Sequence, residues 1–472
     1  MHLHLLLSRA DDHRPALPDG LELASVLREP QPQPLVKPQH LYDLHGDWND
    51  LREQGWAVVA PEGPRGEELL KHAAPLIQWR AEQQHLKPDE VQVFRIAPGM
   101  TAGDAEDFRG KLLKIPHEEQ PHYLLLLGDA DEVSFELQQH LAVDRFVGRL
   151  GFARDADLDA YVDKVLRFER EPPRAELARA IFFTVHDRTP ATDMGYELLM
   201  CPSLQTCHRS HQRGSLPAGE VLELGTSEDW TAQQFFAHAA KRTPGALLTL
   251  SHGLGAPHGG WRSSTEQRQV QGAMDLGNGG SLTLDDVTQR SFMPGGLWFS
   301  FACFSAGTPA RSMYAPWLER LGGMGAEREL ESIRASAPVD GRPFVAALPQ
   351  AALANPEGPL AVIGHVDLAW TYSFHEPTGQ NHAARFANVM GDMVRHRRAG
   401  VALHVLSSAT TTVDARLALL YHQDEAVRFE GTQPPPEAMH RALLWMARHD
   451  LSGFVLLGDP AVRLPISNRA RR

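Results

Sequence analysis

Cysteine is scarce in this chain of 472 residues: Cys201, Cys207 and Cys303 are the three it has, which excludes a disulfide framework and fits a reducing compartment. A surplus of positive charge is missing too. Against 46 Lys and Arg stand 59 Asp and Glu, a formal net charge of −13, so electrostatics give no reason to expect nucleic acid or an anionic membrane as partner. No apolar run is long enough to cross a bilayer, and the one at the amino terminus, Leu5-Leu6-Leu7, is too short for a signal peptide. No repeating period appears, which excludes a solenoid. A soluble, cytoplasmic protein is expected. An apolar fraction of 42% supports a substantial core, and the length suffices for two or three ordinary domains.

The stretch from Gly245 to Gly307 carries the chemistry. Ala246-Leu247-Leu248-Thr249-Leu250-Ser251 is followed by His252-Gly253, and Gly296-Leu297-Trp298-Phe299-Ser300-Phe301-Ala302 by Cys303. Short apolar runs bounded by glycine read as strands buried on both faces, and chemistry in parallel sheets gathers beyond their carboxyl ends. His252 and Cys303 are thus expected at one rim. A cysteine attacks as thiolate, which a nearby imidazole favours, and the imidazole then protonates the departing amine. Gly253 permits a tight turn that would aim its N–H, with that of Cys303, at a developing oxyanion. His258 is a rival base without a strand end behind it.

A strand ending in His-Gly, paired with a later strand ending in Ala-Cys, resembles the caspase-like cysteine peptidases, which include caspases, gingipains, separases and the CHAT group. The order of a Leu124-Leu125-Leu126-Leu127-Gly128-Asp129-Ala130-Asp131 strand end, a Val147-Gly148-Arg149-Leu150 strand, the dyad strands and a closing Leu456-Leu457-Gly458-Asp459-Pro460 is similar to the gingipain type in particular. The resemblance implies an α/β fold, with a mostly parallel sheet covered by helices on both faces, preceded by a smaller, catalytically silent α/β subdomain. It implies a cysteine endopeptidase with Cys303 as nucleophile, His252 as general acid and base, and proteins or peptides as substrates. It also implies control by an activating or inhibiting partner protein or a signal, as in defence systems that use CHAT peptidases.

Carried over from arginine-cleaving gingipains, Asp193 would lie at the base of a pocket that takes Arg or Lys before the scissile bond; read from the residues alone, it is as readily a helix N-cap, and Asp187 competes for the pocket role. Trp370 and Tyr372, in the Pro359–Phe374 stretch that the family uses to line its substrate pocket, would stack on the stem of a bound basic side chain. Nothing in the sequence indicates calcium or another cofactor. Gingipains are secreted with prosegments, and here this chain departs from them.

In chain order, residues 1–50 form a proline-rich lead-in, 51–172 the silent subdomain, 173–466 the catalytic domain and 467–472 a basic tail. Cys201, Cys207, His208 and His211 are too irregularly spaced for zinc and read as a solvated loop. Residues 308–339, with Arg311, Arg320, Arg328 and Arg334, read as a mobile active-site loop, which would hold a self-cleavage site if the pocket takes arginine. A serine hydrolase would need a Gly-x-Ser-x-Gly elbow, and none precedes a helix. A catalytically silent scaffold that keeps the fold and binds partner proteins is the alternative.

Overall fold

Along the first strands, alternate side chains sort into two separate cores, as the two-residue period of an extended chain requires. In the computed structural model, which describes residues 2–28, 46–225, 231–277, 280–322, 327–376, 379–430 and 438–467, Ala57, Val59, Leu124, Leu126 and Val147 face the helices Ala102–Leu112 and Phe135–Leu141. Trp56, Val58, Ala60, Tyr123, Leu125 and Leu127 face the helices Pro64–Gln84 and Asp155–Arg170. Each strand is therefore buried on both sides.

These strands belong to one ten-stranded sheet. Its order is Val93–Ile96, Trp56–Pro61, Tyr123–Leu127, Phe146–Leu150, Phe454–Gly458, Ala361–His365, Leu297–Phe301, Gly245–Leu250, Ala178–Thr184 and Ala218–Leu224. Neighbours pair in parallel except where Phe454–Gly458 meets Ala361–His365 in antiparallel register. The sheet thus consists of two parallel blocks that run in opposite directions. Across the expected boundary at residue 172 it is continuous, because the last strand of the chain lies between the blocks. In the second block Phe386, from the helix Ala383–Val394, packs on Phe299 and Phe301 on one face. Phe235 and Phe292 pack on Phe183 and Trp298.

Some local expectations change. Cys201–Gln212 is a helix that continues directly from the π-helical turn Tyr196–Met200, where Pro202 cannot donate to the preceding turn. Residues 308–339 hold the helices Ala315–Gly322 and Glu327–Ala335, whose apolar faces bury Trp317, Leu318, Leu330 and Ile333. The prolines Pro30, Pro32, Pro34 and Pro38 lie outside the described residues. The residues before them pack onto the body of the protein: Leu3, Leu5, Leu6 and Leu7 are each at most 1% exposed, His2–Leu3 pairs with Leu21–Glu22, and the Ser25 carbonyl accepts a hydrogen bond from Trp317 Nε1 at 2.8 Å.

The end of the strand Phe454–Gly458 is tied to the first block by charge as well as by apolar packing. Arg80, wholly buried, donates to Asp459 Oδ2 at 2.6 Å and to both Glu169 oxygens at 2.7 and 2.8 Å. Trp56 Nε1 donates to Asp459 Oδ1 at 3.0 Å and Trp79 Nε1 to Glu169 at 2.6 Å. Burial alone would raise the Glu169 pKa; the Arg80 charge outweighs it and holds the carboxyl down to about 2. That contribution is complete above the ordinary carboxylate range and is lost as pH falls through the folded value. Arg80→Met, which strands two carboxylates, is expected to lower unfolding free energy by about 3–5 kcal/mol, measured by denaturant titration at neutral pH; a loss below about 0.5 kcal/mol, the range of ordinary surface substitutions, would show that the cluster does not tie the strand Phe454–Gly458 to the helices over the first block.

Candidate functional site

The strands Gly245–Leu250 and Leu297–Phe301 are in register with Leu250 opposite Phe301, and the Ser251 N–H donates to the Phe301 carbonyl at 3.3 Å. Two residues on, His252 and Cys303 leave the sheet at the same level, both completely buried. Their backbones come close because residue 253 has no side chain. A Cβ at Gly253 would lie 1.9 Å from the Cys303 carbonyl oxygen, far inside contact distance. Cys303 is followed by Phe304 at φ 56, a left-handed conformation that a bulky residue rarely adopts and that clusters at functional sites.

The imidazole of His252 has distinct environments at its two nitrogens. Nε2 is 2.9 Å from Thr189 Oγ1 and 3.5 Å from Asp187 Oδ2. Nδ1 is buried without a hydrogen-bond partner among the described residues. It is the nitrogen left for a thiol or a substrate. Asp187 itself accepts from Thr189 N at 3.1 Å and Thr192 Oγ1 at 2.5 Å, so it is fixed by the turn that starts the helix Pro190–Gly195. Burial lowers the His252 pKa, against the opposing pull of Asp187 and Asp275. Burial likewise pushes the Cys303 thiol well above its usual value. In this closed arrangement burial favours imidazole and thiol over an ion pair.

Beside the thiol lies the segment Ala369–Ser373. The Ala369 N–H donates to Cys303 Sγ at 3.2 Å. Two buried carboxylates hold this segment in place. Asp450 accepts from the N–H groups of Trp370 and Ser373, each at 2.7 Å, and burial raises its pKa to about 7. Asp367 accepts from Leu368 N, Met313 N and Ser312 Oγ at 2.8, 2.8 and 2.9 Å, and burial raises its pKa to about 6. A cavity of about 270 Å³ opens next to Phe304, Ser312, Asp367 and Leu368, one residue from both Cys303 and Ala369.

The amides expected to hold an oxyanion do converge on one oxygen. Gly253 N donates to the Leu6 carbonyl at 2.8 Å and Cys303 N donates to the same carbonyl at 3.3 Å. That oxygen belongs to the amino-terminal segment, whose Leu7–Arg9 pairs in parallel with Gly253–Gly255, while Leu5 bridges Trp370 in antiparallel register and Leu6 N donates to Ala369 O at 3.4 Å.

Other expected site residues are placed differently. Asp193 is exposed on the helix Pro190–Gly195, so its carboxylate stands at the surface and not at the base of a pocket. The N-cap of that helix is Thr189. The Trp370 and Tyr372 side chains are 0% and 2% exposed, and the Trp370 ring packs against Tyr314 and Trp317, so what Trp370 offers the cleft is its backbone. The His258 side chain is 62% exposed, near Asp12. No group of His, Cys, Asp and Glu among the described residues could hold a metal ion. Sequence reading missed Leu6, Thr189, Asp367 and Asp450; a buried aspartate two residues beyond the Ala361–His365 strand was the one legible signal among these.

No family model and no curated protein matches the sequence. Among solved structures, the chain is similar to a protease at 12% identity, with a TM-score of 0.51 over 89% of this chain and 81% of that one. The Arg specific cysteine proteinase gingipain R aligns at 13% identity and a TM-score of 0.49, over 87% and 78% of the two chains. A chain of the Saccharomyces cerevisiae separase–securin complex aligns at 8% identity and a TM-score of 0.34, covering 75% of this chain and 17% of that one. What the first likeness shows is a shared fold. The mostly parallel sheet, with helices on both faces, is the architecture expected of caspase-like cysteine peptidases.

Replacing Asp187 by Asn removes a charge that favours the imidazolium. The His252 titration, followed by its ring resonances in NMR, is expected to move to lower pH; an unchanged or raised midpoint would show that Asp187 does not act on this ring.

Proposed function

We propose that the chain is a cysteine endopeptidase acting on proteins or peptides, with Cys303 as nucleophile and His252 as general base and acid. The observation that carries this reading is the pair of N–H groups, from Gly253 and Cys303, aimed at a single carbonyl oxygen beside the Cys303 thiol. His252 takes the thiol proton and Sγ adds to the substrate carbonyl carbon. The negative oxygen that forms is held by the two amides. As the C–N bond breaks, the imidazolium gives its proton to the leaving amine, and a thioester remains. A water that loses a proton to His252 then hydrolyses the thioester, releasing the carboxylic acid and restoring the thiol. Asp187 and Thr189 are positioning residues, since they act on the ring nitrogen that faces away from this chemistry.

The preference for Arg or Lys before the cut rested on Asp193, and its surface position removes that support. Asp187 does not replace it, because its oxygens are engaged by Thr189, Thr192 and His252. A silent, partner-binding scaffold would retain the fold equally well, and the dyad is what argues against it.

A fluorogenic peptide library varied at the residue before the cut tests the reading. Made in a Leu6→Ala background, which loosens the segment whose carbonyl occupies the two amides, Cys303→Ala and His252→Ala are each expected to lower kcat/KM by about 10³-fold or more while melting within a few degrees of that parent. Turnover that survives Cys303→Ala would assign the activity to another group and end this proposal.

A further inference from the structure

The oxygen in the amide pair belongs to the chain itself. We propose that residues His4–Ser8 are a built-in occupant of the peptide cleft, bound in the register of a substrate with the Leu6–Leu7 bond at the scissile position. The cleft would then accept peptides with leucine before the cut, and only once this segment has left. The inference rests on the peptidase reading for its second part, but its first part, occlusion of the thiol, stands on geometry alone.

Peptides bind such clefts by adding a strand, with main-chain bonds for affinity and alternate side chains for specificity. The segment does both. On the acyl side of the Leu6–Leu7 bond it runs antiparallel to Ala369–Trp370, through the Leu5–Trp370 bridge and the bond from Leu6 N to Ala369 O. On the amine side Leu7–Arg9 runs along Gly253–Gly255, and the Leu7 carbonyl accepts from Ala16 N at 2.8 Å. Between the two lies the carbonyl held by Gly253 and Cys303. An ordinary edge strand would have no reason to place a carbonyl oxygen on the N–H of the nucleophile's own residue.

The side chains point the same way. Leu6 is 0% exposed, so the space that receives the residue before the cut is filled by an apolar side chain. Ser8 is equally buried, with an Oγ that has no partner among the described residues. With the segment seated, Cys303 is completely enclosed and its thiol held neutral. The same enclosure that would be needed around a substrate therefore silences the site.

The test alkylates the full chain with iodoacetamide and maps each cysteine by mass spectrometry, with partly exposed Cys201 as the fast reference and buried Cys207 as the slow one. Wild-type Cys303 is expected to react as slowly as Cys207. Leu6→Asp, which puts a charge into an apolar pocket, is expected to speed Cys303 alone by about 100-fold, and Leu6→Ala by about tenfold. Cys207 stays slow in each sample if the fold is intact, and Leu6→Ala serves if Leu6→Asp unfolds. Wild-type Cys303 reacting as fast as Cys201, or no acceleration in a folded variant, would overturn the occlusion. In the opened variants, turnover of a Leu-Leu-Leu fluorogenic peptide supports the leucine preference, and turnover confined to peptides with Arg or Lys before the cut would overturn it. Acceleration of alkylation with no peptide turned over would uphold the occlusion and defeat the peptidase reading.

Discussion

Two backbone N–H groups sharing one carbonyl oxygen set the terms for the rest of this molecule. For the amides of Gly253 and Cys303 to converge, two parallel strands must end in register, residue 253 must have no Cβ, and Phe304 must adopt a left-handed backbone. Each condition costs conformational freedom or strain, which only a heavily buried surrounding sheet can hold in place. The sheet supplies it with strands apolar on both faces, so that the polar groups are concentrated at one rim.

Burial decides the electrostatics of that rim. His252, Cys303, Asp367 and Asp450 are all removed from water, and in each the charged form is disfavoured. Hydrogen bonds from backbone amides offset part of this for the two aspartates, which in return fix the Ala369–Ser373 segment. The segment is rigid where it must present a backbone and apolar where it must exclude water. The imidazole of His252, with one nitrogen tied to Thr189 and Asp187 and the other without a partner among the described residues, is shaped by the same burial.

Much of this was legible in the amino-acid sequence. The apolar runs ending at His252 and Cys303 announced buried parallel strands by composition. Asp459 was visible only as part of the closing Leu-Leu-Gly-Asp-Pro, and its partners Arg80 and Trp56 could not be named because the contact joins elements nearly 400 residues apart in sequence. Asp193 failed for a different reason: helix phase, which the sequence leaves ambiguous by a residue or two near a Pro190 start, decided which carboxylate turned inward. Asp187, in the turn before the helix, faces His252 instead, and Thr189 is the cap. Leu5-Leu6-Leu7 carried no local mark of its destination, since an apolar tripeptide fits any buried strand and its meaning lies wholly in the partners it finds.

The position of Phe454–Gly458 between the two parallel blocks has a consequence for how the molecule is made. Synthesis proceeds from the amino terminus, and domains fold as their segments emerge. The first block can pair its own strands early, and the second can pair from Ala178 to His365, yet both keep an open edge until the last strand arrives. Until then the Asp450 that fixes Trp370 and Ser373 is also missing, so a nascent chain carries the thiol and the imidazole without the wall that lines the cleft. The wall beside Cys303 therefore forms only after the residues that build the sheet on either side of it.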